Sequence, residues 1–319
     1  MHSSEPSIGK YHYPEYSEFD QRRIEANNAI VGLLAGSRLA TNALQLSQGS
    51  QVPLSEMFPA VTHVERFNLV VEDARNILLD AERHLANLAI PYAQSLQEDH
   101  LQRTIKVLQD HGLDLSHPEG APTNRLNASN LHEIFFHTCD VHVGRATSDV
   151  DSRSSMLEIF HLLRRIRNAN THSGGRVSSS IQNDMDSLSE DALSHWKKIN
   201  QGKTPQDIQG NDGKISLTAE HIFTEFSVIK QLGRLAQRSF IEVMPEEYFA
   251  KVSIEHFVRS TSKQKNSDGW KRSLERLTKR LFPKGLNQLE TVAREEGHWT
   301  RGLNDKKCVR NCRFPGRNL

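Results

Sequence analysis

Cysteine occurs only three times in 319 residues, at positions 139, 308 and 312, too few and too scattered for a disulfide framework. Long apolar runs are missing as well. The longest, residues 29–35, is interrupted by Gly32 and falls far short of the roughly 20 residues a membrane span needs. No secretory h-region follows Met1. These absences exclude secreted and transmembrane classes and lead us to expect a cytoplasmic protein. Net charge is nearly absent too, with 40 Lys+Arg against 39 Asp+Glu, yet the charge is unevenly spread. Residues 259–319 hold 16 basic and 6 acidic side chains, net +10, which leaves the remainder at net −9. A basic end on an acidic body suits either a polyanion or that body itself.

Several chemical signatures are also missing. The chain has no phosphate-cradling G-x-x-x-x-G-K-[ST], no G-x-G-x-x-G after a strand, no H-E-x-x-H and no G-x-S-x-G. Cys308-x-x-x-Cys312 with His298 is only a partial metal pattern, because a structural zinc site wants four ligands. His132, His137 and His142 spiral around a helix beside Asp140 and do not line one face. We expect neither a metal nor a cofactor.

What the chain does have is helical periodicity, so the expected fold class is all-α: a helical bundle with an additional N-terminal helix and a basic C-terminal helical extension. Residues 1–17 read as an extended arm. A first helix is expected over residues 19 to about 46, where Gly32 and Gly36 would allow close approach of a neighbour. A second is expected from about 60 to 96, kinked or ended by Pro91, and a shorter one at Leu101–Leu108 positions, stopped by Gly112. Ser129 is a candidate N-cap for the next helix. Ser155-x-x-Glu158 reads as a capping box opening another, which breaks at Ser173-Gly174-Gly175. After a polar stretch with a short helix near 191–199, Asn211-Asp212-Gly213 marks a turn, and Ser216 or Thr218 would cap a helix through Ile222, Phe226, Ile229 and Leu232. Residues 177–181 and 214–217 could form a minor ribbon. Domain boundaries are expected at 1–59 (arm and helix), 60–258 (helical domain with a polar insertion near 173–215) and 259–319 (basic extension).

One segment concentrates polar chemistry at a helix end: Arg164-Arg165-Ile166-Arg167-Asn168-Ala169-Asn170-Thr171-His172-Ser173-Gly174-Gly175-Arg176. Composition alone predicts about four Arg/His pairs with four to six residues between them. The chain shows three, Arg125/His132, Arg165/His172 and Arg167/His172, so the bare spacing decides nothing. Context separates the last pair: Asn168 directly follows the arginine, an amphipathic helix precedes it, and a Gly-Gly break follows the histidine. Five residues at about 100° each put positions 167 and 172 about 140° apart on an unbroken helix. Either the helix ends before His172, or two chains contribute.

The R-N-x-x-x-H pattern in this setting resembles the HEPN superfamily (higher eukaryotes and prokaryotes nucleotide-binding) over residues 60–245. The linker before the 217–240 helix is longer than the compact family pattern needs, and residues 1–59 and the basic end lie outside it. The resemblance implies a metal-independent endoribonuclease of toxin or anti-phage type, catalytic roles for Arg167, His172 and Asn168, and a homodimer with one shared cleft. That dimer would draw on the helices around 131–143 and 155–170. An antitoxin or regulatory partner is also implied. The chemistry suits the residues: histidine exchanges protons near neutral pH, and arginine holds phosphorane oxygens. Arg164, Arg165 and Arg176 flank the motif as candidate RNA contacts. Lys271, Arg272, Arg276, Lys279, Arg280 and Lys284, with Trp270 and Phe282 interleaved, would grip phosphates and stack bases. A plainer reading makes Arg167 a last-turn surface cation and His172 a capping residue, in a non-catalytic module that binds nucleic acid or protein.

Overall fold

Ile222, Ile229, Leu232 and Ala236 repeat at helical spacing along one stripe, and that stripe becomes the axis of the structure. The protein is described by a computed structural model, covering residues 13–118, 126–127, 129–172, 175–210, 213–282 and 285–299. In chain order the α-helices are α1 (Pro14–Leu44), α2 (Leu54–Met57), α3 (Val71–Leu79), α4 (Ala81–Asp110), α5 (Leu131–Val143), α6 (Val150–His172), α7 (Ser179–Asp186), α8 (Glu190–Ile199), α9 (Ala219–Val243), α10 (Glu246–Ser260), α11 (Asp268–Leu281) and α12 (Leu289–Glu295). No strand occurs among the described residues, and the ribbon anticipated near 177 and 214 reduces to isolated bridges, Arg176 with Lys214 and Gln209 with Ile215. No described helix is long and apolar enough to cross a membrane.

The chain divides into two compact units, residues 18–243 and residues 1–17 with 244–319. In the larger unit α9 packs against α4, α5, α6 and α8. On those helices Ile90, Leu101 and Ile105 of α4, Ile134 and Phe135 of α5, and Phe160, Leu163 and Ile166 of α6 are essentially buried, as are Ile222, Ile229, Leu232 and Ala236 of α9. Burying side chains of this size stabilises the bundle by roughly 1.5–3 kcal/mol each. A polar knot ties α5, α6 and α9 together: Thr147 Oγ1 donates to Ser239 Oγ at 2.7 Å, Thr147 N donates to Asp140 Oδ1 at 2.8 Å, and Arg153 pairs with Asp140 at 2.9 Å.

Several local expectations need correction. Pro91 does not end its helix; α4 runs on for 30 residues and absorbs the helix expected separately around Leu101 and Leu108. Its N-terminal neighbour is a separate helix, α3, after a short 3-10 turn at Val64–Phe67. Gly112 does stop α4, with φ +77 and Leu113 N donating to Leu108 O at 3.1 Å, a left-handed helix cap. The capping box at Ser155 does not form. α6 starts five residues earlier, where Asp149 Oδ1 accepts from Ser152 N at 2.6 Å, and Ser155 Oγ instead donates to Asp151 O inside the helix. Ser129 is likewise not the cap of α5; Asn130 stands there. Tyr13 and Tyr16, placed in the presumed arm, are buried at the start of α1.

The smaller unit has its own core, in which Ile254 and Phe257 of α10 meet Trp270 and Leu274 of α11 and Val292 of α12. Trp270 is therefore fully buried, and Phe282 nearly so. Neither can stack on a base, which corrects that part of the reading of the basic end.

The glycines behave unlike their sequence pattern. Gly32 and Gly36 line an open cleft across from Ile77 and Leu78 of α3 and Ala81 and Leu85 of α4, and a Cβ at either would meet nothing within 4 Å. Close approach happens at Gly233 of α9, where a Cβ would sit 2.5 Å from Cε1 of Phe19 on α1. Phe19 is itself stacked on His100 of α4, with ring centroids 4.7 Å apart. Gly233→Ala should therefore lower stability by roughly 1–3 kcal/mol through overpacking. Gly32→Ala should raise it by up to about 1 kcal/mol through helix propensity. Urea denaturation of the two variants checks both signs, and equal effects would contradict the packing of α1 on α9.

Candidate functional site

The end of α6 carries the motif, and the early helix end anticipated there does not occur. The helix continues through His172, so positions 167 and 172 lie about 140° apart around its axis. The side chain of His172 and residues 173 and 174 lie outside the described residues. Gly175 ends the turn with φ +73, its N–H donating to Ala169 O at 3.2 Å. A Cβ there would also meet Asn170 Oδ1 at 3.0 Å, so glycine suits this position on two counts.

Arg167 faces inward against α4. Its Nε donates to Gln94 Oε1 at 3.1 Å, and Gln94 Nε2 donates onward to Glu225 Oε2 of α9 at 3.4 Å. Gln94 and Glu225 are fully buried, so one amide side chain joins three helices. One turn further on, Asn170 donates to Asn87. Arg167 and Asn170, with Thr171, Asn87, Pro91 and Leu217, line a small cleft of 140 Å³.

The electrostatics of this junction follow from burial. Desolvation pushes the Glu225 carboxyl up to about 8, with Glu98 adding to the rise and Gln94 and Arg167 opposing it. At neutral pH Glu225 therefore holds its proton and adds no negative charge opposite Arg167. Burial also raises Glu98 of α4, against the pull of Arg164 and Arg167. Nearby, Gln97 Nε2 lies 3.4 Å from His132 Nε2 in full burial. Desolvation lowers His132 to about 3, helped by His161. An imidazole so depressed is neutral, and that neutral ring accepts from Gln97.

Asn168 points elsewhere. Neighbouring positions on a helix diverge by about 100°, and Asn168 joins Arg164 and Arg165 in a second cleft of 400 Å³ with Ser129, Glu133 and His161. Arg165 is paired with Asp184 of α7. Arg176 is exposed, beside Lys214. The structure thus separates the expected site into two clefts on two faces of α6, with Arg167 on one and Asn168 on the other.

The basic residues of the C-terminal unit organise differently. Arg272, Arg276, Lys279 and Arg280 are exposed at i, i+4, i+7 and i+8 along α11, opposite buried Trp270, Leu274 and Thr278. Lys271 lies with its ammonium 5.1 Å from the ring of Trp299. Lys284, Cys308 and Cys312 lie outside the described residues, and no group of three potential metal ligands occurs among the described ones.

Gln94, Glu225, Glu133 and His161 were not identified from sequence. A signal was present for two of them. Glu225 sits three after Ile222 and four before Ile229, and Gln94 sits four after Ile90, both on core-facing stripes where a polar residue needs a partner. No family model, curated protein or solved structure matches this chain.

The two buried titrating groups fix opposite pH limits. Glu225 is raised in the folded state, so its contribution is complete below its ordinary 4.5 and is lost as pH climbs towards 8. His132 is depressed, so its contribution is complete above 6.5 and is lost as pH falls towards 3. Stability should peak between these limits. Glu225→Gln, which keeps shape and hydrogen bonding, should remove a loss on the order of a few kcal/mol on the alkaline side and leave the acid side unchanged. Denaturation midpoints across pH check this; an alkaline limb unchanged in Glu225→Gln would contradict the buried neutral acid.

Proposed function

We propose that this protein is a metal-independent endoribonuclease of HEPN type, acting in toxin or anti-phage defence. The supporting observation is Arg167, a guanidinium held at a helix end by the Gln94–Glu225 junction, with Asn168 next in sequence on the neighbouring face and His172 at the last helical position. The reaction moves one proton off the RNA 2′-OH as that oxygen attacks the adjacent phosphorus. The P–O5′ bond breaks, the 5′-oxygen takes a proton, and a 2′,3′-cyclic phosphate and a 5′-OH remain. His172 exchanges a proton in this step, since histidine works near neutral pH. Arg167 holds the phosphorane oxygens as charge grows on them. Asn168 orients the strand, and Arg164, Arg165 and Arg176 meet flanking phosphates.

Because α6 is unbroken to His172, one chain presents Arg167 and position 172 on different faces. A homodimer supplies the remedy: the arginine of one copy and the histidine of the other meet in one cleft. The exposed basic face of α11 favours nucleic-acid contact whether or not the chain is catalytic. A non-catalytic binding module is the second reading that this face supports.

Incubation with mixed RNA in EDTA tests the proposal. Wild type should cut and leave 2′,3′-cyclic phosphate ends, while Arg167→Lys and His172→Ala should each lose about 10²–10³-fold. Retained cleavage in both variants, or a requirement for magnesium, would sink it.

A further inference from the structure

The smaller unit presents cationic surface without aromatic surface. Every described Phe, Tyr and Trp between residues 244 and 299 is buried, and so are Tyr13 and Tyr16, which belong to the same unit. Its basic residues are mostly matched outside α11: Lys251 pairs with Glu296, Arg259 with Glu255 and Arg294 with Glu290. On α11 the matching stops. Arg272 Nε donates to its own helix, at Asp268 O, 3.3 Å away. Among the described residues no carboxylate pairs with Arg272, Arg276, Lys279 or Arg280.

These four side chains share one side of the helix. At about 100° per residue, Lys279, Arg272, Arg276 and Arg280 fall within an arc of about 100° that runs some ~12 Å along the axis. The arc lies opposite buried Trp270 and Leu274. Lys263 joins its Arg280 edge from the preceding loop, with Nζ donating to Ser273 Oγ at 2.5 Å. The opposing charges on α11 are Asp268 and Glu275, both along the Lys279 edge. Lys271 lies beyond them, against the ring of Trp299. Five exposed cations thus stand against two carboxylates.

A polyanion fits this face, and the lack of a stacking surface selects among polyanions. Proteins that hold single strands join a basic groove to aromatic side chains on which bases stack. Duplex RNA keeps its bases stacked on one another and offers phosphates and 2′-hydroxyls, which are recognised by shape. We propose that the exposed face of α11 holds the phosphate backbone of double-stranded RNA, whatever its sequence. Arginine grips phosphate oxygens in pairs, and contacts to phosphate position a duplex without reading its bases. Taken with the ribonuclease reading, on which this step rests, the substrate class is a folded RNA, with a paired stem on α11 and an unpaired strand that is cut. The choice of RNA over DNA rests on that reading as well; the duplex contact does not.

The full-length protein is titrated with fluorescent 2′-O-methyl RNA, which has no 2′-OH to attack, as a blunt duplex of about 16 base pairs and as its single strand. The duplex should bind about tenfold more tightly or better, and a duplex of unrelated sequence should match it within about twofold. Four phosphate contacts give a slope of about −3.6 in log affinity against log salt, a fall of about a hundredfold between roughly 50 and 200 mM. The double variant Arg276→Gln/Lys279→Gln should bind more weakly and flatten the slope by about 1.8. Glu275→Gln removes an opposing charge and should tighten binding about twofold, a gain that loss of folding could not produce. Equal binding of the single strand, an unchanged slope in the double variant, or weaker binding by Glu275→Gln overturns the proposal. So does a preference for phosphatidylserine vesicles or for a DNA duplex, or no binding at all, the outcome expected if the chain's own acidic body covered this face. Cleavage is measured separately on an unmodified stem-loop RNA, which should be cut faster than its unpaired strand, an advantage the double variant should lose. Duplex binding without cleavage sinks the ribonuclease reading alone, and cleavage without duplex binding sinks the stem contact alone.

Discussion

A single buried amide, Gln94, sets the orientation of the motif. Its oxygen accepts from Arg167 of α6 and its nitrogen donates to Glu225 of α9, so its two ends satisfy partners on two other helices. Neither end is exchangeable. A buried amide with a lost partner costs about 1–3 kcal/mol, because its desolvation is then uncompensated. The arrangement also needs Glu225 to stay protonated, since an ionised carboxylate in that environment would draw the guanidinium into a neutral pair. Burial supplies that condition, raising the acid to about 8. Glu225 thus adds no negative charge at the junction, whereas Glu98 of α4 also lies in the field of Arg167.

The second constraint is the continuity of α6. A helix that ended before His172 would let the chain curl and bring Arg167 and His172 together. The helix instead runs to His172 and is capped by the left-handed Gly175. Its two faces consequently carry different residues. One carries Arg167 and Asn170 against α4; the other carries His161, Arg164, Arg165 and Asn168 against α5 and α7. Two adjacent residues of one motif, Arg167 and Asn168, end in separate clefts for no reason other than the 100° step of the helix.

Much of this was legible in the sequence, where period and apolar identity agree. The stripes of α9 and α6 were readable because Ile222, Ile229, Leu163 and Ile166 announce a buried face at 3.6-residue spacing. Helix boundaries were less legible. Pro91 looked like a break, but α4 is anchored on both sides of it by Ala86, Ile90, Ala93 and Leu96, all buried, and this packing outweighs the roughly 3 kcal/mol that an interior proline costs. Ser155 looked like a cap because its spacing to Glu158 fits a capping box, yet Asp149 offers an acceptor six residues before it. At the site, Arg167, Asn168 and His172 could be named because a local pattern holds them. Gln94, Glu133, His161 and Glu225 reach their partners across 28 to 131 positions of chain, and no local pattern records such distances. Trp270 shows the converse: basic neighbours suggested a stacking surface, while the apolar face of α11 carried it into the core.

The central proposal is that Arg167 and His172, about 140° apart on an unbroken α6, act together only when supplied by two copies of the chain. Mixing tests this directly. Arg167→Ala protein and His172→Ala protein are each assayed alone on RNA and then together after exchange of subunits. The account predicts that each is inactive alone and that the mixture recovers a substantial fraction of wild-type cleavage, because one of the two sites in a mixed dimer is complete. A mixture as inactive as its components, or cleavage by a strictly monomeric wild-type species, would contradict it.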